Sequence, residues 1–122
     1  MANEITATVN VTTVNGSFRQ AFQPATKQIT QSAIGGHITV WNVGTSEEDL
    51  ATGDVSTLGV MGLLNTDSTN YVQIGPKSGG AMVAAMRLKP GEPNFIRCEP
   101  GITWTAKANT AACKVLVWLM EN

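Results

Sequence analysis

The side chains able to do chemistry are few and scattered. Histidine occurs once, as His37 at the head of a predicted strand, and no nucleophile-elbow motif accompanies it. A hydrolase of the Ser/His/Asp type needs its imidazole between a nucleophile and a carboxylate, so His37 reads as an ordinary polar strand residue. One histidine and two distant cysteines, Cys98 and Cys113, do not make a closed zinc set, and no Cys-x-x-Cys or His-x-x-x-His pair occurs. The carboxylates Glu47, Glu48, Asp49 and Asp54 are oxygen donors of the kind calcium takes. They lack the alternating spacing of a calcium loop and read as a solvated acidic segment. Ser78-Gly79-Gly80 is glycine-rich, but no Lys-Ser/Thr pair or helix start follows it, so it is no phosphate cradle. No catalytic residue, metal or cofactor is expected, and the chain is not read as an enzyme.

The bulk numbers agree with a protein built to pack. The chain has 122 residues, 43% hydrophobic and only 14% charged. The charged share is well below the ~25% of an average globular protein. Low charge costs a free monomer solubility and is better tolerated where much of the surface is hidden in an assembly. The net charge of −1 opposes general nucleic-acid binding. No stretch approaches the ~20 apolar residues of a membrane-spanning helix. The opening Met-Ala-Asn-Glu-Ile has neither the basic nor the apolar region of a signal peptide. A cytoplasmic site of assembly follows, and with it reduced, buried thiols, although Cys98 and Cys113 fall in neighbouring predicted strands and a bridge is geometrically open.

Short alternating runs separated by turns dominate the chain. Ile5, Ala7, Val9 and Val11 alternate with Thr6, Thr8, Asn10 and Thr12, a period-2 pattern of β-branched residues. Asn15-Gly16 predicts a type I′ hairpin turn. Strands are also expected near Lys27–Ser32, from His37 to Val43, over Leu58–Leu64 and Tyr71–Ile74, along Ala81–Leu88 and Asn94–Cys98, about Ile102–Lys107 and over Ala111–Met120. Gly75–Gly80 reads as a flexible loop. Thr45-x-x-Glu48 has the spacing of a capping box and predicts a single helical turn or an ordered loop. The whole predicts an all-β, jelly-roll-like single-domain sandwich over 1–122, of about eight to ten short antiparallel strands. The N-terminal hairpin, about 4–23, is a candidate arm.

The last strand is the most informative. Val115, Leu116, Val117, Trp118, Leu119 and Met120 form an uncharged apolar run that wants cover on both faces. Either it is a central strand covered by its own fold, or one face is buried between subunits. Charge is segregated. Glu47, Glu48, Asp49, Asp54 and Asp67 stand in a stretch without Lys or Arg, while Lys77, Arg87, Lys89, Arg97, Lys107 and Lys114 follow, against Glu92, Glu99 and Glu121. The candidate interface therefore comprises the 115–120 strand with Glu47, Glu48, Asp49, Arg87 and Arg97. Complementary charge of this kind sets register more than affinity.

Two segments carry a likeness. One runs Gly44-Thr-Ser-Glu-Glu-Asp-Leu-Ala-Thr-Gly-Asp-Val-Ser-Thr-Leu-Gly59 and on through Thr69-Asn-Tyr-Val-Gln-Ile-Gly75. The other runs Arg87-Leu-Lys-Pro-Gly-Glu-Pro93, through Glu99-Pro-Gly-Ile-Thr-Trp104 and Ala106-Lys-Ala-Asn-Thr-Ala-Ala112, to the last strand. Together they resemble small β-sandwich virion structural proteins of tailed bacteriophages. The resemblance implies a capsid cement or decoration protein, commonly a homotrimer, that binds the major capsid protein or another virion protein and resides in a virion assembled in the host cytoplasm. It carries over no catalytic residue and implies no nucleic-acid or membrane partner. The rival reading is a tail-associated receptor- or glycan-binding module using Trp41, Tyr71 or Trp104, although each sits in an alternating strand where core packing is the default. A cupin-type barrel would need more metal ligands than the chain has.

Overall fold

The computed structural model describes residues 3–122. The chain divides into two units, Met1–Ser32 and Ala33–Asn122. The arm expected at about 4–23 thus belongs to a longer unit ending at Ser32. Among the described residues there is no helix, and every strand pairing is antiparallel.

The first unit is a β-ribbon. Its strands are β1 (Ile5–Ala7), β2 (Val11–Asn15), β3 (Phe18–Phe22) and β4 (Lys27–Ile29), with β2 paired to β3 and β1 to β4. The single strand expected over 5–12 is interrupted opposite Pro24, which has no N–H to offer a ladder. Side chains bridge the gap: Gln23 Nε2 donates to Asn10 Oδ1 at 2.8 Å, and the Thr8 and Thr26 hydroxyls lie 3.1 Å apart. The turn sits one residue later than expected. Asn15 pairs with Phe18, so the loop is Gly16-Ser17, and only Gly16 has positive φ (60°). Glycine at the first loop position suits a type II′ rather than a type I′ turn.

The second unit is sandwich-like, with two sheets around one core. Its strands are β5 (Gly36–Val43), β6 (Glu48–Asp49), β7 (Leu58–Asn65), β8 (Val72–Ser78), β9 (Ala81–Met82), β10 (Met86–Leu88), β11 (Pro93–Arg97), β12 (Trp104–Ala108) and β13 (Cys113–Glu121). One sheet has the order β11-β7-β13-β5; the other has β10-β8-β12-β6, with β9 also on β8. Trp41, Val43, Met61, Leu63, Val115, Val117 and Leu119 of the first sheet join Val72, Ile74, Leu88, Ala106 and Ala108 of the second in one buried cluster. Each Val, Leu, Ile or Met among them contributes about 1.5–3 kcal/mol when fully buried.

Three expectations need correction. The Thr45–Glu48 capping box starts no helical turn; the ordered-loop alternative holds for this segment except at the two-residue strand β6. Asp49 and Glu48 instead pair with Thr105 and Ala106 of β12, and Glu47 accepts the Met82 N–H at 3.0 Å. With Gly53 so close, a helix has too few residues to repay its nucleation. The supposed flexible loop 75–80 is mostly strand. Ser78 pairs with Ala81 across Gly79-Gly80, both at positive φ, a two-residue hairpin turn. Finally, Ala81–Leu88 is two strands. Between the pairs Ile74–Met86 and Lys77–Met82, residues 75 and 76 face 83, 84 and 85, which is a bulge. Pro76 cannot donate there, but its carbonyl accepts the Val83 N–H at 2.8 Å. These interruptions, with the two-residue β6, raise the strand number among the described residues to thirteen.

The bulge depends on Gly75. A Cβ at Gly75 would fall 1.8 Å from the Val83 carbonyl oxygen. Gly75→Ala is therefore expected to lower unfolding stability by more than about 2 kcal/mol, a backbone clash with no flexible side chain to yield. Urea denaturation of the two proteins measures it.

Candidate functional site

Strand β13 lies between β7 and β5, so its backbone ladder is satisfied on both edges. Its side chains alternate in burial despite their uniform hydrophobicity. Val115, Val117 and Leu119 are fully buried in the core, and Leu116, Trp118 and Met120 point outward. Cross-strand register then defines the outer face of the four-stranded sheet. One row is Val40, Leu116, Leu64 and Pro93; the next is Ile38, Trp118, Gly62 and Phe95; a third is Gly36, Met120, Val60 and Arg97.

This face is apolar and open. Ile38 is 65% exposed, Val40 56% and Leu116 39%. Gly62 leaves room for the Trp118 indole, which would lie 3.5 Å from a Cβ placed there. Across Gly62, Phe95 meets Trp118 with ring centroids 6.5 Å apart. Gly36 gives way similarly to the Met120 sulfur. Two charged side chains lie on this face: Lys114, exposed opposite Asn42 at the start of β13, and Arg97 at a corner, whose Nη2 donates to Asn122 Oδ1 at 2.7 Å. A contiguous apolar patch on a sheet face makes it a candidate interaction surface.

The other charged candidates lie elsewhere, and three of them hold partners within the chain. Asp49 pairs with Lys77 at 2.9 Å, and Glu47 accepts from Met82. Glu48 is half-buried, its carboxylate lying over Gly44. The Arg87 guanidinium stacks 4.2 Å over the Tyr71 ring. The structure does not gather these four side chains with the outer rows of β13.

The ribbon is the second bare surface. Between residues 3 and 32 only Ile5 is buried. Register puts Val11, Phe22 and Phe18 on one face, with the two phenylalanines 63% and 54% exposed. The sequence already spaces Phe18 and Phe22 two turns of the pleat apart, which puts them on one face; the register adds Val11 opposite Phe22, with Thr13 and Gln20 between.

The chemically active residues stay apart. His37 packs over Gly53, whose Cβ would come within 2.6 Å of Nδ1. Among the described residues no group of three or more His, Cys, Asp or Glu is placed to hold a metal. Cys98 and Cys113 are buried free thiols. They are not on neighbouring strands, since Cys98 follows β11 and β7 separates β11 from β13. Burial pushes the Cys98 thiol up to about 11, which keeps it protonated and unreactive. Trp41 is core, Tyr71 lies beneath Arg87, and Trp104 borders a cleft beside β12.

Two carboxylates hold loops in place. Glu121, at the end of β13, accepts the Ser56 hydroxyl at 2.7 Å, the Thr57 N–H at 2.8 Å and the Ser56 N–H at 2.9 Å. Asp67 accepts the Asn70 and Thr69 N–H groups at 2.5 and 2.8 Å. The Ser56 hydroxyl chiefly, then the Thr57 amide, lowers the Glu121 pKa below its usual 4.5. The Asn70 amide, then that of Thr69, lowers Asp67 below 3.8. No protein-family model, curated protein or solved structure matches the chain.

Because folding lowers both pKa values, both carboxylates favour the folded state when ionised. Their contribution is whole above the unfolded values and is lost as pH falls through the lowered folded ones. Urea midpoints are therefore expected to drop from about pH 5 downward. Glu121→Gln should be less stable than the parent at neutral pH and lose less on acidification. An equal acid dependence in both proteins would remove Glu121 from this role.

Proposed function

We propose that the chain is a phage virion structural protein, a capsid cement or decoration protein. It homo-oligomerises, with a trimer favoured, and stabilises the head by binding the major capsid protein. The observation that carries this reading is the largely apolar outer face of the β11-β7-β13-β5 sheet, with Ile38, Val40, Leu116, Trp118 and Phe95 on it and its charges, Lys114 and Arg97, at its ends. A free monomer has no use for such a surface, and an obligate interface is built from one. The sequence likeness over Val40–Asn122 to small β-sandwich virion proteins supplies the setting. The ribbon is the arm that reaches a neighbouring virion protein. An isolated two-stranded ribbon is at best marginally stable in water, and Phe18 and Phe22 give it something to bury.

The charged residues act in this reading as local braces. The Lys77–Asp49 pair is half-exposed on both sides and is worth about 0–1 kcal/mol. Apolar burial is left as the driving force of assembly, so assembly should depend weakly on salt. Sedimentation velocity of the full chain is expected to show an oligomer, and the protein is expected to bind empty capsids. Leu116→Lys puts a charge at the centre of the face while altering no buried side chain. It should raise the dissociation constant at least about tenfold, as one lost apolar anchor and one buried unpaired charge require. A stable wild-type monomer without affinity for particles would sink the proposal.

A further inference from the structure

The sheet edges of the second unit are not alike. β6 and β10 have two and three residues and carry Glu48, Asp49 and Arg87. On β11, Pro93 has no N–H to offer. The Cys98 N–H donates to Gly59 of β7, so by alternation the Phe95 N–H turns away from β7; Asn94 Oδ1 already accepts it at 2.8 Å. Short strands, charge and proline keep an edge from pairing with another chain. β5 has none of these. It runs eight residues, Gly36–Val43, without Pro, Lys, Arg, Asp or Glu, in unbroken register with β13. The Glu121 N–H donates to Gly35, and the Lys114 carbonyl accepts from Thr66. Val115, Val117 and Leu119 therefore turn their backbone groups to β5, where Trp41, Thr39 and His37 meet them. The N–H and C=O of Ile38, Val40 and Asn42 point to the free edge, with no partner among the described residues. The open stretch stops at Gly44, whose carbonyl accepts the Ala108 N–H at 2.8 Å.

We infer that two copies of the chain join β5 to β5, antiparallel, about a two-fold axis at Val40. Val40 then faces Val40 of the second copy, and Ile38 faces Asn42 in each direction. This register matches the open stretch of both strands, and each facing pair exchanges both of its backbone hydrogen bonds. A two-fold contact sets a surface against itself, and a stretch without charge brings no like charges together. On the outer face Ile38 and Val40, 65% and 56% exposed, gain cross-strand neighbours. The contact also closes. The joined sheet ends on both sides at β11, the edge blunted by Pro93 and Asn94, so pairing stops at two copies. A single strand from another protein would instead present a new open edge of its own. The ladder uses the backbone of β5, so it holds whether or not the chain serves a virion. Combined with the trimer favoured above, it joins trimers edge to edge.

The test is amide hydrogen exchange of the full chain, read residue by residue by NMR at low and high protein concentration. The amides of Ile38, Val40 and Asn42 are expected to exchange at least about tenfold more slowly at high concentration, as closed ladder bonds require. Val40→Pro removes an N–H that has no partner in the chain, and a strand edge facing solvent tolerates proline. Its circular dichroism should match the parent. Its dimer dissociation constant in sedimentation equilibrium should rise at least about tenfold, the worth of the two hydrogen bonds lost at the axis. Leu116→Lys, which disturbs the outer face but not the β5 edge, should keep the slowed exchange at Ile38, Val40 and Asn42. That separates this contact from the virion reading, which fails or stands on Leu116→Lys and on capsid binding. Three results would overturn the inference: exchange at those amides independent of concentration, slowing that disappears in Leu116→Lys, or an unchanged dissociation constant in a folded Val40→Pro. Should Val40→Pro not fold, the exchange of the parent and of Leu116→Lys still decides.

Discussion

The ladder that β13 forms with two partners is the constraint on which the second unit rests. Of its nine residues, Cys113–Glu121, those from Cys113 to Met120 pair with β5 on one edge and those from Val115 to Glu121 with β7 on the other. A strand so placed cannot slip by one residue without moving Val115, Val117 and Leu119 from core to surface. Its two ends are fixed separately. The Lys114 carbonyl accepts from Thr66, the Glu121 N–H donates to Gly35, and the Asn122 N–H donates to Thr57. Register, core and chain terminus are therefore set together, and the outward side chains are carried along by the same register.

Buried polar groups complete what the apolar core leaves unspecified. Asn65 is fully buried, and its amide donates to the Asn70 and Leu88 carbonyls at 2.9 and 3.0 Å while its oxygen accepts the Asp67 N–H at 3.0 Å. That one side chain ties β7 to the following turn and to β10 in the opposite sheet. Thr105 is fully buried as well and donates to the Gly75 carbonyl at 2.9 Å, beside the bulge. A satisfied polar network of this kind favours one arrangement over its neighbours, since any slip strands donors away from water.

Much of this was legible from the residues, and the misses have physical causes. Alternation and turn chemistry gave the all-β class and most strand positions. The apolar run 115–120 concealed its own alternation, because Leu116, Trp118 and Met120 are as hydrophobic as the core residues between them; only the register of β5 and β7 separates the two sets. The Thr45–Glu48 capping box was a true local signal overridden by pairing with β12. The break within 81–88 needed Pro76 and Gly75 to be read against a partner strand. Asn65 gave no sign of its role, since an asparagine between an apolar run and a polar turn looks like the start of the turn. The segregated charges suggested contacts across subunits, whereas Lys77 and Asp49 meet within the chain because β8 and β6 both flank β12.

The sheet buries one face in its own core and leaves the other largely apolar, and the proposed role rests on that asymmetry more than on any single residue. The most direct measurement is hydroxyl-radical footprinting of the full chain across a range of protein concentrations, read by mass spectrometry. If the outer face is an interface, Trp118, Met120, Leu116 and Ile38 will become protected as concentration rises, while buried Met61 stays unlabelled throughout. Labelling of those four residues that does not change with concentration would contradict the account.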